Sequence, residues 1–302
     1  MKHCFTMLDY PSLAAVAAVV AEGSFERAAS VLGMTPSAVS QRVRGLEERL
    51  GAILILRGVP CRPTELAGTL CAHLDRVRLL EHDMAGALGG GVAQPAPLTL
   101  RIAVNADSLA TWFPQAIAAF AGQTGLMLDL KLDDEAHTAQ SLRSGEVLAA
   151  VTADVRPVQG CKVTALGAMR YAACASPAFV AQHFTRGVSV QTLACAPYLR
   201  FDRRDRLQAR WAIEAHGAEP AGPVHWVPST PAFLDLALAG LGWSMHPLSL
   251  VEPHLASGRL VELAPCHRID VALHWAVTRL HTPSLRHLTE AVRQAARQSL
   301  VP

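Results

Sequence analysis

Two groups of side chains in this 302-residue chain have the types and spacing to do chemistry. The first is dense. Ser24 is followed by Thr35, Pro36, Ser37, Ser40, Gln41, Arg42 and Arg44, with Arg57 and Arg62 a little further on. Short hydroxyls approach a phosphate or a base edge closely, glutamine reads adenine, and arginine reads guanine or clamps a phosphate. Such a set suits double-stranded DNA. The second group is dispersed: Asp107, Ser108, Thr111, Thr152, Asp154, Asp202, Ser229 and Thr230. Each stands where a strand pattern ends or a helix pattern begins, which is where open α/β sheets hold small ligands. Hydroxyls at a helix start suit a carboxylate, and the acids suit an amine or a guanidinium. For Ser108 a plain helix cap is an equal reading, and for Asp154 a loop cap. Asp202 is the best-placed acid for a basic ligand, unless Arg203 and Arg204 beside it neutralise it.

The chemistry of an enzyme is missing. The glycines at 86–91 lack both the G-x-G-x-x-G context and the lysine of a phosphate loop, and residues 242–246 are not a G-x-S-x-G elbow. Thirteen histidines are scattered without an H-E-x-x-H. Seven cysteines (Cys4, Cys61, Cys71, Cys161, Cys174, Cys195 and Cys266) form no C-x-x-C pair, which fits reduced thiols in a cytoplasmic protein. No metal and no cofactor is expected. No apolar run reaches the roughly 18 residues of a membrane span, and the first residues lack a signal-peptide core. The start of translation, Met1 or Met7, is left open. Half the residues are hydrophobic and 17% are charged, so sizeable cores are available, and a net charge of +2 means that any nucleic-acid surface is local.

These residues need elements to position them. Pro11 and Ser12 open a helix that Gly23 and Ser24 break. Residues 25–32 form a second, stopped by Gly33. Thr35 caps a third with Pro36 in its first turn, and Val39, Val43, Leu46 and Leu50 recur along it at helical spacing. Helix, glycine turn and capped helix is the helix-turn-helix arrangement, whose second helix enters the major groove N-terminus first. Glu47 and Glu48 would repel DNA and are expected to face protein. Residues 53–57 and the tip made by Gly58, Pro60 and Pro63 read as a two-stranded wing flanked by Arg57 and Arg62. The first hundred residues are not net basic, so an ordinary helical hairpin with a solvated polar face is the competing reading.

A long helix should run from Glu65 to about Leu88. Its seam of Leu66, Leu70, Leu74, Val77 and Leu80 has little chain nearby to cover it, which fits a helix of a second subunit. A glycine- and proline-rich linker follows at 86–97. Strand patterns then alternate with helices: strand 98–104, helix 109–122 with Pro114 marking its start or a kink, strand 127–132, helix 138–144 and strand 147–152. The pattern recurs at 171–175, 224–228, 233–240 and 273–278, and a helix over 286–299 closes the chain. Alternation of this kind means βαβ units in a doubly wound sheet. Trp112 and Trp243 read as core.

The N-terminal segment resembles the LysR-type transcriptional regulators. The likeness lies in Ala28, Ala29 and Leu32, in the Ser37-Ala38-Val39-Ser40 start of the third helix, in Leu46-Glu47 with Leu50-Gly51, and in Leu56-Arg57 with Pro63-Thr64. Pro36 departs from the pattern, since relatives often carry glutamine there. Stretches at 23–27 (GSFER), 62–65 (RPTE), 105–112 (NADSLATW), 158–161 (VQGC), 169–171 (MRY) and 240–243 (GLGW) resemble the lysine- and arginine-responsive ArgP/LysG branch. The resemblance implies an all-α-type winged helix-turn-helix over 1–65, a dimerisation helix and linker over 66–97, and a two-lobed α/β sensor like a periplasmic binding protein over 98–302. Lobe one would take about 98–166 and 268–302, lobe two about 167–267. It also implies a homodimer or homotetramer on double-stranded DNA, possible contact with RNA polymerase, and L-lysine or L-arginine as effector between the lobes. Another small metabolite, or an enzyme built on the same cleft, are the alternatives.

Overall fold

A computed structural model describes residues 8–88, 98–132, 135–154 and 156–302. Met1, Met7, Cys4 and most of the expected linker lie outside the described residues. Three short helices open the chain: α1 (Tyr10–Glu22), α2 (Phe25–Leu32) and α3 (Pro36–Leu50). Asp9, Ser24 and Thr35 each accept a backbone N–H three positions on, satisfying donors that the first turn of a helix leaves open. Leu13, Val16, Val19, Ala28, Ala29, Val39, Val43 and Leu46 meet in one core. The wing is smaller than residues 53–57 suggest: β1 (Ile55–Leu56) pairs antiparallel with β2 (Arg62–Pro63). Glu47 joins it to α3, its Oε1 accepting from the backbone N–H of Leu54 at 2.7 Å and of Ile55 at 3.2 Å. The turn between α1 and α2 also touches the wing tip. Gly23 has φ +64, its carbonyl accepts from Cys61 N at 2.8 Å, and a Cβ there would sit 2.9 Å from Pro60 Cβ.

Thr64 caps α4 (Glu65–Ala87), which touches both halves of the chain. Leu74 belongs to the N-terminal core and Leu79 to the core of the α/β part. Asp75 pairs with Arg101 at 3.0 Å, and Asp83 accepts from Ser284 N at 3.2 Å. Part of the expected seam is thus covered from within, while Leu66, Leu80, Met84 and Leu88 stay exposed.

The rest of the chain is a two-lobed α/β structure. Lobe one begins with β3 (Thr99–Val104), α5 (Ala106–Ala110), α6 (Phe113–Thr124), β4 (Met127–Leu132), α7 (Glu135–Ser144) and β5 (Ala149–Thr152). The helix expected over 109–122 is two helices, because Pro114 has no N–H to continue the turn before it. Then come β6 (Cys161–Ala175), α8 (Pro177–His183), α9 (Val190–Leu193), β7 (Tyr198–Arg200), α10 (Leu207–His216), β8 (Val224–Trp226), α11 (Thr230–Leu238), β9 (Ser244–Pro247), α12 (Leu248–Ala256), β10 (Val261–Glu262), β11 (Ile269–Thr278) and α13 (Pro283–Ser299). In lobe one β3 lies parallel between β4 and β5, and β11 runs antiparallel between β5 and β6.

The strand pattern at 171–175 is only the far end of β6, which starts at Cys161. That far end pairs with β9 and β10 in lobe two, where β7 and β8 lie parallel and Tyr198 bridges to Trp243. Two long antiparallel strands therefore connect the lobes, and the sheet is mixed. Their crossing is marked by a register shift between Leu273 and His274, opposite Gly167 at φ +122. Ala168 and Val301 exchange backbone hydrogen bonds of 2.7 and 2.9 Å beside it, and a Cβ on Gly167 would meet Val301 O at 2.6 Å.

Candidate nucleic-acid interface and ligand cleft

On α3, Pro36, Ser37, Gln41, Arg42 and Arg44 are exposed and Ser40 is half-buried. Val39, Val43 and Leu46 face the core, so the helix is held by one side and offers the other. Thr35 is exposed, but its Oγ1 accepts from Ala38 N at 3.2 Å. Ser24 likewise caps α2 and donates to Glu26 at 2.6 Å, so both are tied to helix starts. Arg57 lies over the Phe25 ring at 5.2 Å, which draws the wing toward α2, and Arg62 is exposed in β2. Among the described residues Arg42, Arg44, Arg57 and Arg62 form no ion pair, so their charge is uncompensated toward solvent. Glu47 faces protein, on the wing backbone, whereas Glu48 is exposed.

Between the lobes is a cavity of about 660 Å³. Of the residues singled out from sequence, Asp107, Asp202 and Thr230 line it. Asp107 sits in the first turn of α5, where Asn105 caps the helix by accepting from Ser108 N at 2.8 Å. One carboxylate oxygen of Asp107 accepts from the Tyr171 hydroxyl at 2.7 Å, and the other from the Thr230 hydroxyl at 2.7 Å. The carboxylate thus receives donors from β6 and from the start of α11. Desolvation pushes its pKa up and nearby Asp205 adds to this, while the two hydroxyls pull it down.

Asp202 turns inward on its own loop, accepting from Arg204 N at 2.7 Å and Asp205 N at 2.9 Å. Asp205 is another loop organiser, accepting from the N–H groups of Phe201 and Leu207, each at 3.0 Å. Arg200 holds the same loop by its carbonyls and lies 5.0 Å over Trp226. Two arginines of this wall are compensated, Arg206 by Glu219 at 2.9 Å and Arg210 by Glu214 at 2.8 Å. At the base of lobe two His246 is fully enclosed, bonded to Ser244 Oγ at 2.7 Å and edge-on to Phe233. Burial pushes its pKa down to about 3, so it is a neutral imidazole.

The remaining expected residues lie elsewhere. Ser108 is buried under Trp112, accepting from its indole N–H at 3.1 Å; it neither caps the helix nor faces the cavity. Thr111 donates back to the carbonyl of Asp107 at 2.6 Å. Thr152 accepts from Asp154 N at 3.0 Å, and Asp154 binds the backbone N–H of Arg156 at 2.9 Å and its guanidinium at 2.6 Å. Those two line a separate niche of about 10 Å³, against Thr138 and Val163. Ser229 occupies the cap position of α11, but its side chain makes no capping bond. Trp112 and Trp243 are core. Tyr171, Asp205, Phe233 and His246 line the cavity without having been singled out as ligand residues. Among the described residues no group of three or more histidine, cysteine or acidic side chains could hold a metal.

Residues 11–67 match the family model described as bacterial regulatory helix-turn-helix protein, lysR family, and residues 93–297 match the LysR substrate binding domain. The chain is 43% identical to the transcriptional regulator ArgP of Pseudomonas fluorescens over 296 residues, 98% of this chain and 99% of that protein. It is similar to the crystal structure of ArgP from Mycobacterium tuberculosis, with a TM-score of 0.82 and 39% identity over 98% of this chain and 99% of that one. It is also similar to full-length LysG from Corynebacterium glutamicum with bound effector Arg, with a TM-score of 0.71 and 37% identity over 98% and 100% of the two chains.

Proposed function

The chain belongs to the LysR family of transcriptional regulators, in its ArgP/LysG branch, and from that premise we propose that it senses a basic amino acid, L-arginine or L-lysine, between its lobes. The observation that carries this reading is Asp107. It lines a cavity of a size suited to a small ligand, its surroundings are desolvated, and among the described residues it makes no ion pair. A second carboxylate, Asp205, lies close enough to disfavour its charge. An incoming cation offsets both penalties, and a neutral ligand offsets neither. The arginine named as effector in the Corynebacterium glutamicum relative has the matching chemistry.

The same reading gives α3 the double-stranded DNA, with Ser37, Ser40, Gln41, Arg42 and Arg44 in the major groove and Arg57 and Arg62 on the flanking backbone. Ser24 and Thr35 hold the helix starts that present them. Residues 1–65 then form the DNA-binding domain, 66–97 the dimerisation helix and linker, and 98–302 the sensor. The exposed Leu66, Leu80, Met84 and Leu88 of α4 suit a second subunit, in a homodimer or homotetramer. The protein acts in the cytoplasm as a regulator and not as an enzyme, and its bound form contacts RNA polymerase. Among the described residues no helix is long and apolar enough to cross a membrane. Effector binding changes DNA engagement only if the ligand has different affinities for two settings of the protein.

Gel-shift titration on the DNA upstream of the protein's own gene, with and without each amino acid, tests the reading, with calorimetry of the ligands alone beside it. A specific shift altered by one of them is the expected result. No heat with either amino acid on folded protein would overturn the effector assignment and leave the regulator.

A further inference from the structure

Asp107 is the place where the two lobes meet chemically. Its helix, α5, belongs to lobe one. Thr230 opens α11 in lobe two, and Tyr171 stands on β6 just beyond Gly167, where that strand crosses between the lobes. The two hydroxyls bond different oxygens of the one carboxylate, at 2.7 Å each. A carboxylate has about four lone-pair sites, so two donors fix its plane and still leave acceptor capacity for a ligand.

We infer that Tyr171 is a positioning residue for ligand charge: with Thr230 it fixes the Asp107 carboxylate in one orientation toward the cavity, so that the cleft selects a cationic head over a neutral one of the same shape. This rests on the basic amino-acid reading and deepens it. A free carboxylate in this position would turn or take up a proton, because burial and Asp205 both disfavour its charge. Hydroxyl donors bond the charged form and oppose that. Most of the other charged or titratable groups on the cavity wall have partners of their own. Asp202 and Asp205 cap their loop, Arg206 and Arg210 are paired with glutamates, Arg204 lies on that same loop, and His246 is neutral on Ser244. The orientation of Asp107 comes from Tyr171 and Thr230.

The test is calorimetric titration of the full chain with L-arginine and with L-citrulline, a neutral ligand of nearly the same shape. It is run at several pH values between about pH 5 and pH 8, because the charge of a raised carboxyl depends on pH. The native protein is expected to prefer arginine. Tyr171→Phe keeps the ring and removes the donor. Its arginine affinity should fall about tenfold, the worth of one hydrogen bond to a charged group, while citrulline is little changed. The loss should deepen as pH falls, because the carboxyl now takes its proton at higher pH. Thr230→Val should repeat the pattern through the other oxygen, and Thr230→Ser should restore it, which keeps the test open if one variant folds poorly. Unchanged arginine affinity in both donor-deleted variants overturns the inference. So does an equal loss for both ligands at every pH, which would mark simple packing. A native protein that binds arginine and citrulline alike, or binds neither of them nor L-lysine, sinks the basic amino-acid reading itself, and that outcome shows before any variant is made.

Discussion

Arg42 and Arg44 stand in solvent on α3 with no ion pair among the described residues, whereas Asp107 is desolvated and held by two hydroxyls in the cleft. The two regions use charge in opposite ways. Exposed arginines act at a distance and additively: each neutralises a phosphate, releases counterions and is weakened by salt. Little around them needs to be organised beyond a rigid helix, which the Thr35 cap and the buried Val39, Val43 and Leu46 supply. A desolvated carboxylate acts only at contact. It is costly to keep charged, and what makes it useful is the set of neighbours that fix its direction and leave it short of a cation. On the proposed reading, the wing end of the chain gives affinity to any polyanion, with sequence reading added on top. The cleft is built to discriminate.

Removing charge from each region, and reading both DNA and effector binding, separates the two most directly. Replacing Arg42 and Arg44 together by alanine should cost about 3–4 kcal/mol of operator binding and flatten the salt dependence by about two phosphate contacts. Calorimetry of the effector should be unaffected. Asp107→Asn keeps the shape and removes the charge. It should cost about 3 kcal/mol of basic amino-acid binding, the range for losing one member of a buried charge pair. Gel shifts without effector should be unchanged. A variant in one region that moves both readouts would mean that the two are not separable.

How far each region was legible from the amino-acid sequence follows from the same difference. The DNA face is local in the chain: caps, αL glycines and helical spacing fall within some forty consecutive residues, and the expected α2 and α3 agree with the structure to within a residue. The cleft is assembled by topology. Asp107, Tyr171 and Thr230 come from distant segments, and nothing in the local pattern around Tyr171 says that β6 passes from one lobe to the other. The pattern also failed where backbone groups had already claimed a side chain. Ser108, Thr152 and Asp154 have the right chemistry at the right strand ends, but each is used to fix its own turn or a buried indole. Asn105, a good cap residue three positions before Ser108, was the available signal. The glutamate in the family-like Leu46-Glu47 pair was legible as protein-facing, though its partner, the wing backbone, was not.

Acid should separate the regions again, by a smaller amount. His246 has an ordinary value of 6.5 and one of about 3 in the fold, where burial excludes its charge. The unfolded chain therefore takes up a proton first as pH falls. Stability is lost progressively below about pH 6.5, by about 2 kcal/mol at pH 5. Asp107, shifted upward, works in the other sense, since the folded form then binds its proton more readily. The contribution of His246 is thus the difference between the native protein and His246→Gln, compared by urea midpoints at the two pH values. Fluorescence of Trp211 and Trp243 reports on the sensor core in both. A native protein whose midpoint shifts with pH no more than that of the variant would place the imidazole in contact with water.

The smallest effect expected is at the exposed ion pair that closes the helical end, and its smallness is informative. Arg49 on α3 reaches Asp9 at 3.0 Å, but the side chains are 46% and 39% exposed. Asp9 is held first by the Ser12 hydroxyl, the leading cause of its lowered pKa, with Arg49 contributing less. Removing the arginine leaves the α1 cap intact. Arg49→Ala should therefore cost less than about 1 kcal/mol, a cost that shrinks further in salt. Thermal unfolding at low and high ionic strength measures it. A loss well above that, unchanged by salt, would mean that charge at this end is also held by geometry, and that the contrast with the cleft is one of degree. A small, screened loss would leave the apolar core and the three caps as what holds α3 in place, with its arginines free to meet phosphate.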